Sequence, residues 1–366
     1  MKFKIQREVF LQPLIQVVGV VERRQTLPVL ANFLLVAKDG TLSLTGTDME
    51  VELVSTVSAD VETEGEITVP ARKLVDIVKA LPDGATISLS VSDDRATLQA
   101  GRSRYILSTL PAADFPATDD VASVQDVSLP EFELKTLLDR TSFAMANQDV
   151  RYYLNGLLLD FKGGRIRTVA TDGHRLAVCD YDGDVPVEGD RQVIVPRKGV
   201  LELARMLSDS KENVVLSLGR NHVRLVNGNT RFTSKLIDGR FPDYEMVIPA
   251  GADKQIKVDR GVFMQALQRA SILSNEKYRG VRIEASDNSV KILAHNPQHE
   301  EAVEVIEAEM NFDSLAVGFN VNYLLDALTA LTSEDVSMEL KDANSSCLVA
   351  APESDLNRHV VMPLKL

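Results

Sequence analysis

Apolar residues recur at helical spacing in three places, about 125 residues apart, a period the size of a domain. VPARKLVDIVKAL from Val69, VPRKGVLELARML from Val195 and FNVNYLLDALTAL from Phe319 align position by position. Their apolar sets are Leu74, Val75, Ile77, Val78 and Leu81, then Val200, Leu201, Leu203, Ala204 and Leu207, then Leu324, Leu325, Ala327, Leu328 and Leu331. Each set follows the i, i+3, i+4, i+7 spacing of a helix with one buried face. The pattern predicts a triplicated domain rather than a solenoid of small repeats.

The flanks repeat as well. Each copy opens on a short alternating run, KFKIQ at 2–6, DVSLP at 126–130 and QIKVD at 255–259, followed by a helix-like stretch from Arg7, Glu131 or Arg260. Two strands come next: LLVAKDGTLSLTG, LLLDFKGGRIRTVA and VRIEASDNSVKILA place Lys-Asp-Gly, Lys-Gly-Gly and Asp-Asn between alternating runs, the chemistry of hairpin turns. A second hairpin follows the repeated helix, as in ATISLSVSDDRATLQA, and Phe115-Pro116 and Phe241-Pro242 mark linkers. The reading is an α+β chain of three tandem similar domains, 1–122, 123–252 and 253–366, each with two helices packed on antiparallel sheets. An array with a constant rotation between units curves, and a curved array closes into a ring.

Composition adds little beyond an ordinary globular balance, with 45% hydrophobic and 25% charged residues in 366. The two cysteines, Cys179 and Cys347, stand far apart, and no Cys or His falls at metal-ligand spacing. That argues against a disulfide framework or a zinc site and fits a reducing compartment, and no cofactor is expected. Charges at Lys2, Lys4, Arg7 and Glu8 leave no signal-peptide core, and no apolar run reaches the length of a membrane span, so a cytoplasmic location is expected.

Net charge is −13, which alone disfavours a nucleic-acid partner. The distribution of charge reverses that inference. Six stretches read as helical, 7–24, 71–81, 135–151, 197–207, 260–279 and 320–331, and hold 16 Lys/Arg against 8 Asp/Glu, whereas the remainder holds 24 against 45. Helices of a repeat array line one side, so the pattern predicts a basic concave wall for a polyanion. No zinc-finger, helix-turn-helix or RNA-recognition signature is present and there is no Trp, so any DNA contact is expected at phosphate, blind to sequence.

Longer strings are more specific. TLPVLANFLL, LTGTDMEVEL, STLPAADFP, DVRYYLNGLLL, VATDGHRLAV, VIVPRKGV, TSKLIDGRFPDY, SNEKYRGVR and the terminal VVMPLKL resemble the bacterial sliding clamps, the beta subunits of DNA polymerase III, from Met1 to Leu366. The resemblance implies a non-enzymatic processivity factor of DNA replication. It implies a head-to-tail homodimer whose six domains place helices around duplex DNA and sheets outside. The implied partners are the replicative polymerase catalytic subunit, the clamp loader, translesion polymerases and repair proteins, bound through short linear motifs.

Carried over residue by residue, the resemblance places DNA contacts on Arg24, Arg72, Gln148, Tyr152, Tyr153, Arg197, Lys198 and Arg279. Arg72 and Arg197 begin the repeated helix, where free N–H groups and a guanidinium can face one phosphate, and the third copy has Val321 there. The implied dimer interface joins Ile77, Leu81, Arg102, Arg104, Tyr105 and Leu107 to Ile272, Leu273, Glu300, Glu301 and Glu304 of the other chain. GRSRYILST is basic and strand-like, while HEEAVEVIEAE carries five glutamates, so the charges match. A groove for partner peptides is implied at Leu154, Thr171, Gly173, His174, Arg175, Leu176, Pro242 and Val247, with Asn320, Tyr323, Ser346, Val360, Met362, Pro363 and Leu364. Leu, Val and Met there form an adaptable apolar slot, Gly173 admits a peptide close to the backbone, and His174, Arg175 and Tyr323 offer polar anchors. The family pattern ends Met-Pro-Met-Arg-Leu; Leu364 and Lys365 here keep the slot apolar but stiffer and remove a bidentate donor.

TDGHRL at 171–176 also fits a different class, a hydrolase using Asp172 and His174 as acid and base. The repeats weaken that reading: LTGTDMEVEL shares Thr-Asp but has Met-Glu where VATDGHRLAV has Gly-His, and the third copy reads LAHNPQHEEAV. The shared Thr-Asp reads instead as a strand-end turn in which Asp bonds local backbone. A protein scaffold that does not encircle DNA is the other alternative.

Overall fold

The structure is a computed structural model that describes residues 1–21, 27–116, 122–183, 185 and 189–365. Among these residues lie six α-helices: α1 Arg7–Val17, α2 Ala71–Ala80, α3 Glu131–Asp139, α4 Arg197–Met206, α5 Arg260–Ser271 and α6 Val321–Ala330. Two fall in each copy of the repeat. Most aligned apolar residues of α2, α4 and α6 turn inward, with Leu74, Val78, Val200, Leu203, Leu324 and Leu328 buried. Leu201, expected on the buried face, is exposed because it lies at the edge of the α4 apolar stripe beside Val200.

Three helices are shorter than the periodicity suggests, and polar side chains explain two of them. α3 stops at Asp139 instead of running to 151. Thr141 Oγ1 donates back to the Leu137 carbonyl at 2.8 Å, and Asn155 exchanges two hydrogen bonds with the Asp149 backbone around Gln148, whose φ is 58°. Such side-chain bonds compete with the helix ladder. α5 stops at Ser271, and Asn275 Oδ1 then accepts the amides of Lys277 and Tyr278 to form a turn. α1 ends at Val17. The six helices therefore carry ten Lys/Arg and seven Asp/Glu, a net of +3 where +8 was expected. Arg140, Arg151, Lys277 and Arg279 sit in the turns beyond the helix ends, so part of the positive charge expected on helices lies outside them.

Contacts divide the described chain into two compact units, Met1–Phe132 with Lys198–Leu236, and Glu133–Arg197 with Ile237–Leu366. The first contains a five-stranded sheet in the order Asp60–Thr63, Lys2–Gln6, Thr86–Ser92, Arg95–Ala100, Ser103–Ser108. Its eight-stranded sheet runs Gln125–Pro130, Asn213–Leu218, His222–Asn227, Thr230–Lys235, Val51–Ser58, Thr41–Thr47, Asn32–Lys38, Gly65–Pro70. The second unit has a nine-stranded sheet, Arg191–Pro196, Gly156–Lys162, Arg165–Thr171, Arg175–Tyr181, Ser354–Val361, Cys347–Ala351, Asp335–Leu340, Lys254–Asp259, Glu309–Met310. Its four-stranded sheet runs Glu301–Glu307, Ser289–His295, Gly280–Ser286, Ser314–Asn320.

The larger sheet of each unit crosses a boundary between repeats. Val51–Ser58 of the first copy pairs antiparallel with Thr230–Lys235 of the second, Ser55 opposite Thr230. Arg175–Tyr181 of the second pairs in the same way with Ser354–Val361 of the third, Leu176 opposite Val360. Shared sheets are why contacts group the chain in two while the sequence repeats three times. The repeated hairpins turn as their residues dictate, with positive φ at Asp39-Gly40, Gly163-Gly164 and Asp287-Asn288. Two-residue turns of that hand match the right-handed twist of the strands. No helix among the described residues is long and apolar enough to cross a membrane.

Candidate functional site

The 171–176 turn is built by its own side chains. Thr171 Oγ1 donates to the Arg175 carbonyl at 2.6 Å and accepts the Gly173 amide at 3.1 Å. Asp172 Oδ1 accepts the amides of His174 at 2.9 Å and Arg175 at 3.0 Å, and its Oδ2 accepts Arg175 Nε at 3.1 Å. The first copy repeats the design: Thr47 bonds Val51 and Met49, and Asp48 Oδ1 accepts the amides of Glu50 and Val51 at 2.9 and 2.7 Å. In the third copy Asn296 Oδ1 accepts from Gln298 and Glu300, both at 3.0 Å. Both oxygens of Asp172 are engaged by the turn, as a structural cap requires, and the geometry gives the acid–base reading no support.

Gly173 answers two demands at once. Its φ is 88°, and a Cβ there would lie 2.9 Å from Arg151 Nη2. Arg151, which sequence reasoning missed, is held by Asp149 at 3.0 and 2.9 Å and donates to the Asp172 carbonyl at 3.2 Å. Those bonds from Arg151 lower the Asp149 carboxyl to about 2.

Beside the turn lies an apolar cluster. Leu154, Leu176 and Val360 are buried in it together with Val178, Ile194, Phe241 and Tyr244, and Tyr153, Val247, Ile248 and Leu348 pack half-buried against it. Pro242 stands exposed next to Phe241. The C-terminal segment is tied to the same place: the Met362 amide donates to the His174 carbonyl at 3.0 Å, and the Leu364 amide to the Gly318 carbonyl at 2.8 Å. Met362 is 39% exposed at the end of this segment. Ser346 precedes Cys347, which pairs with Val361, and Asn320 caps α6 by accepting the Asn322 amide at 2.9 Å. Of the expected groove residues, Leu154, Leu176, Val247 and Val360 share this cluster, whereas Tyr323 packs against the core of the third repeat and lies under Arg175.

Arg175 departs from expectation. Its Nη1 pairs with Asp326, its Nη2 donates to the Phe143 carbonyl at 2.7 Å, and the guanidinium lies 4.6 Å from the Tyr323 ring centroid and 5.3 Å from that of Phe143. Every nitrogen is engaged within the protein, so Arg175 braces the turn rather than offering a free anchor. Phe143 and Asp326 are the other residues that the sequence did not flag.

The expected DNA contacts are scattered over both units. Arg24 lies outside the described residues. Arg72 Nη2 donates to the Val21 carbonyl at 2.9 Å, Arg197 Nη1 to the Met145 carbonyl at 3.1 Å, and Lys198 Nζ to the Val20 carbonyl at 2.8 Å while pairing with Asp48 at 2.6 Å. These cations turn onto neighbouring backbone, whereas a shared phosphate site at the helix starts was expected. Gln148 and Tyr152 are exposed, Tyr153 is half-buried against the apolar cluster, and Arg279 adopts φ 48° with its carbonyl receiving the Val321 amide.

The expected interface residues fall on two edge strands and their neighbours. Arg102, Arg104 and Tyr105 lie at the Ser103–Ser108 edge, Leu107 of the same strand is buried, and Ile77 and Leu81, on and just after α2, are half-buried and buried. Glu300 and Glu301 are exposed at the Glu301–Glu307 edge, and Ile272 is 76% exposed next to half-buried Leu273. Glu304 is already paired with Arg269 of α5 at 2.7 Å, which lowers its carboxyl pKa. Ile106, Val303 and Val305, missed in the sequence, expose apolar surface on these edges.

Three α+β repeats sharing antiparallel sheets, with an apolar cluster beside the 171–176 turn, define a clamp-type architecture. Comparison with known proteins makes this specific. Residues 1–119 match the N-terminal domain of the DNA polymerase III beta subunit, 128–243 its central domain and 245–365 its C-terminal domain. The chain is 53% identical to the beta sliding clamp of Pseudomonas aeruginosa and 49% to that of Escherichia coli K12, each over 367 residues and all of both chains. Solved structures of the Pseudomonas aeruginosa DNA polymerase III beta subunit and of a Pseudomonas aeruginosa sliding clamp bound to griselimycin superpose over all of both chains with TM-scores of 0.95. The chain belongs to the DNA polymerase III beta subunit family, the DNA sliding clamps.

Proposed function

We propose that the protein acts as a head-to-tail homodimeric ring that encircles duplex DNA without reading its sequence and tethers the replicative polymerase and other replication and repair proteins. One observation carries this reading. Both internal junctions pair an equivalent strand of one repeat with the last strand of the next, and the same two kinds of strand stand unpartnered at the sheet edges, Glu301–Glu307 and Ser103–Ser108. An open edge with complementary charge invites pairing with another chain.

The repeat also supplies the register. Arg104, Arg231 and Arg358 recur every 127 residues. Arg231 lies opposite Val54 and bridges Glu52 at 3.7 Å, and Arg358 lies opposite Val178 and bridges Asp180 at 3.3 Å. Carried to the open edges, Arg104 of one chain falls opposite Val303 of the other and reaches Glu301, the residue equivalent to Glu52. Ile106 then meets exposed surface beside Ile272, Val303 and Val305. With two such interfaces the assembly closes at two chains.

Within the ring, cations at helix ends meet phosphate, and the seam at Leu154, Leu176, Val247, Val360 and Met362 takes aliphatic and aromatic side chains of partner tails. The related Pseudomonas aeruginosa clamp binds a ligand, griselimycin, which is consistent with a ligand-binding site on this chain. The protein carries out no catalysis of its own; Asp172 is a cap. Sedimentation equilibrium tests the assembly. A mass of twice the 40.2 kDa chain is expected at micromolar concentration, and a monomer or an open-ended series would overturn the ring.

A further inference from the structure

We infer that Asp326, on α6 and outside the apolar seam, is a positioning residue that sets the affinity of the peptide groove through Arg175. The inference rests on the groove reading above and adds a residue that acts at a distance from any peptide.

The argument follows the turn outward. The amides of Gly173, His174 and Arg175 all donate to side chains of Thr171 and Asp172, and the His174 carbonyl accepts the Met362 amide where the ladder with Ser354–Val361 begins. Beyond that ladder and the Arg151 bond to the Asp172 carbonyl, the Arg175 side chain ties the turn to two further elements. That chain reaches α6, where Asp326 receives Nη1, and the segment after α3, where the Phe143 carbonyl receives Nη2. Tyr323, one turn before Asp326 on α6, lies against the guanidinium face and belongs to the expected groove. Asp326 therefore fixes at once the height of the 171–176 turn and the tilt of Tyr323.

The first copy braces its turn differently, through Lys198 of α4 paired with Asp48 at 2.6 Å. There the turn carries Val51 in place of Arg175, and Glu202, the α4 counterpart of Asp326, pairs with Arg205 of its own helix at 2.9 Å. The carboxylate at this helix position reaches across to the turn only where the seam is present. Asp326 also borders an open cavity of about 440 Å³ with Thr136, Asp139, Arg140, Phe143 and Thr329, so its carboxylate is hydrated on one side and can be changed without leaving a buried orphan.

Asp326→Asn removes the charge and keeps the shape. We expect it to weaken binding of a labelled peptide, the last ten residues of the same organism's replicative polymerase, about fivefold, the range of a charge-assisted hydrogen bond at a half-exposed site. Asp326→Glu should restore binding to within twofold. Arg175→Ala should weaken binding at least as much, and adding Asp326→Asn to it should change nothing further. In the free protein, hydrogen exchange at Gly173, His174 and Arg175 should accelerate about fivefold in Asp326→Asn, with dimer mass and thermal midpoint unchanged. Unchanged exchange, or an equal loss of affinity with and without Arg175, would overturn the inference. Accelerated exchange in a protein whose wild type fails to bind the peptide would instead overturn the groove reading and leave the positioning role standing.

Discussion

Replacing Ile272 by Ala puts the proposed interface under direct strain. Ile272 follows α5 and is 76% exposed in the single chain, so truncation should leave the fold intact. If the side chain is covered in the dimer, three carbons lose that burial. At about 0.8 kcal/mol per methylene, and allowing for incomplete coverage, this weakens each interface by about 2 kcal/mol. A ring of two chains has two identical interfaces, so the dimer loses about 4 kcal/mol, or roughly a thousandfold in dissociation constant. Sedimentation velocity across a dilution series reads this directly. The thermal midpoint of the monomer, measured well below the dissociation constant, should not move. A dissociation constant within threefold of wild type would refute the placement of Ile272 in the interface and the two-interface reasoning with it.

Deleting Met362 to Leu366 removes the segment whose amides reach His174 and Gly318, and should abolish peptide binding by calorimetry while the dimer persists; unchanged affinity would place the groove elsewhere. Gly173→Ala meets both a left-handed φ and the Arg151 guanidinium, so peptide affinity should fall at least tenfold with global stability little altered, and a wild-type affinity would show the turn to be tolerant. His359 is buried beside Phe143, neither ring nitrogen has a hydrogen-bond partner among the described residues, and burial with Arg140 and Arg175 nearby lowers its pKa to about 3. The folded value lies below the ordinary one, so this contribution to stability is present in full above about pH 6.5 and is lost as pH falls toward 3. His359→Leu should flatten the acid limb of the denaturant-unfolding profile by about 1.4 kcal/mol per pH unit between pH 6 and 4, and an unchanged slope would contradict the burial argument.

Much of this fold was legible because its signals are local and threefold. The buried faces of α2, α4 and α6, the hairpin pairs at Asp39-Gly40 and Gly163-Gly164, and the Thr-Asp turns each follow from neighbouring residues. What the sequence hid depends on where side chains turn. The periodicity ran through 135–151 and 260–279, yet Thr141, Asn155 and Asn275 close turns by bonding backbone, and no hydrophobic count registers that competition. Arg72 and Lys198 looked free because a charge in a sequence carries no record of the carbonyl it meets. The groove residues came from family resemblance. Asp326 did not, because nothing marks a lone acidic residue on an amphipathic helix until Arg175 is seen beside it. The edge-strand rule needed the sheets themselves: only the pairing of Val51–Ser58 with Thr230–Lys235 shows what Glu301–Glu307 lacks.

The central claim is that the protein holds DNA by encircling it, and retention on a nicked circular plasmid tests that most directly. The protein is loaded onto the circle by its clamp loader and passed through a sizing column at high salt, with and without prior linearisation. Phosphate contacts alone weaken steeply as salt rises, whereas leaving a closed circle requires an interface to open. The account predicts protein that stays with the circle through high salt and is lost once the plasmid is cut. Equal retention on circular and linear DNA, or loss from both as salt rises, would contradict it.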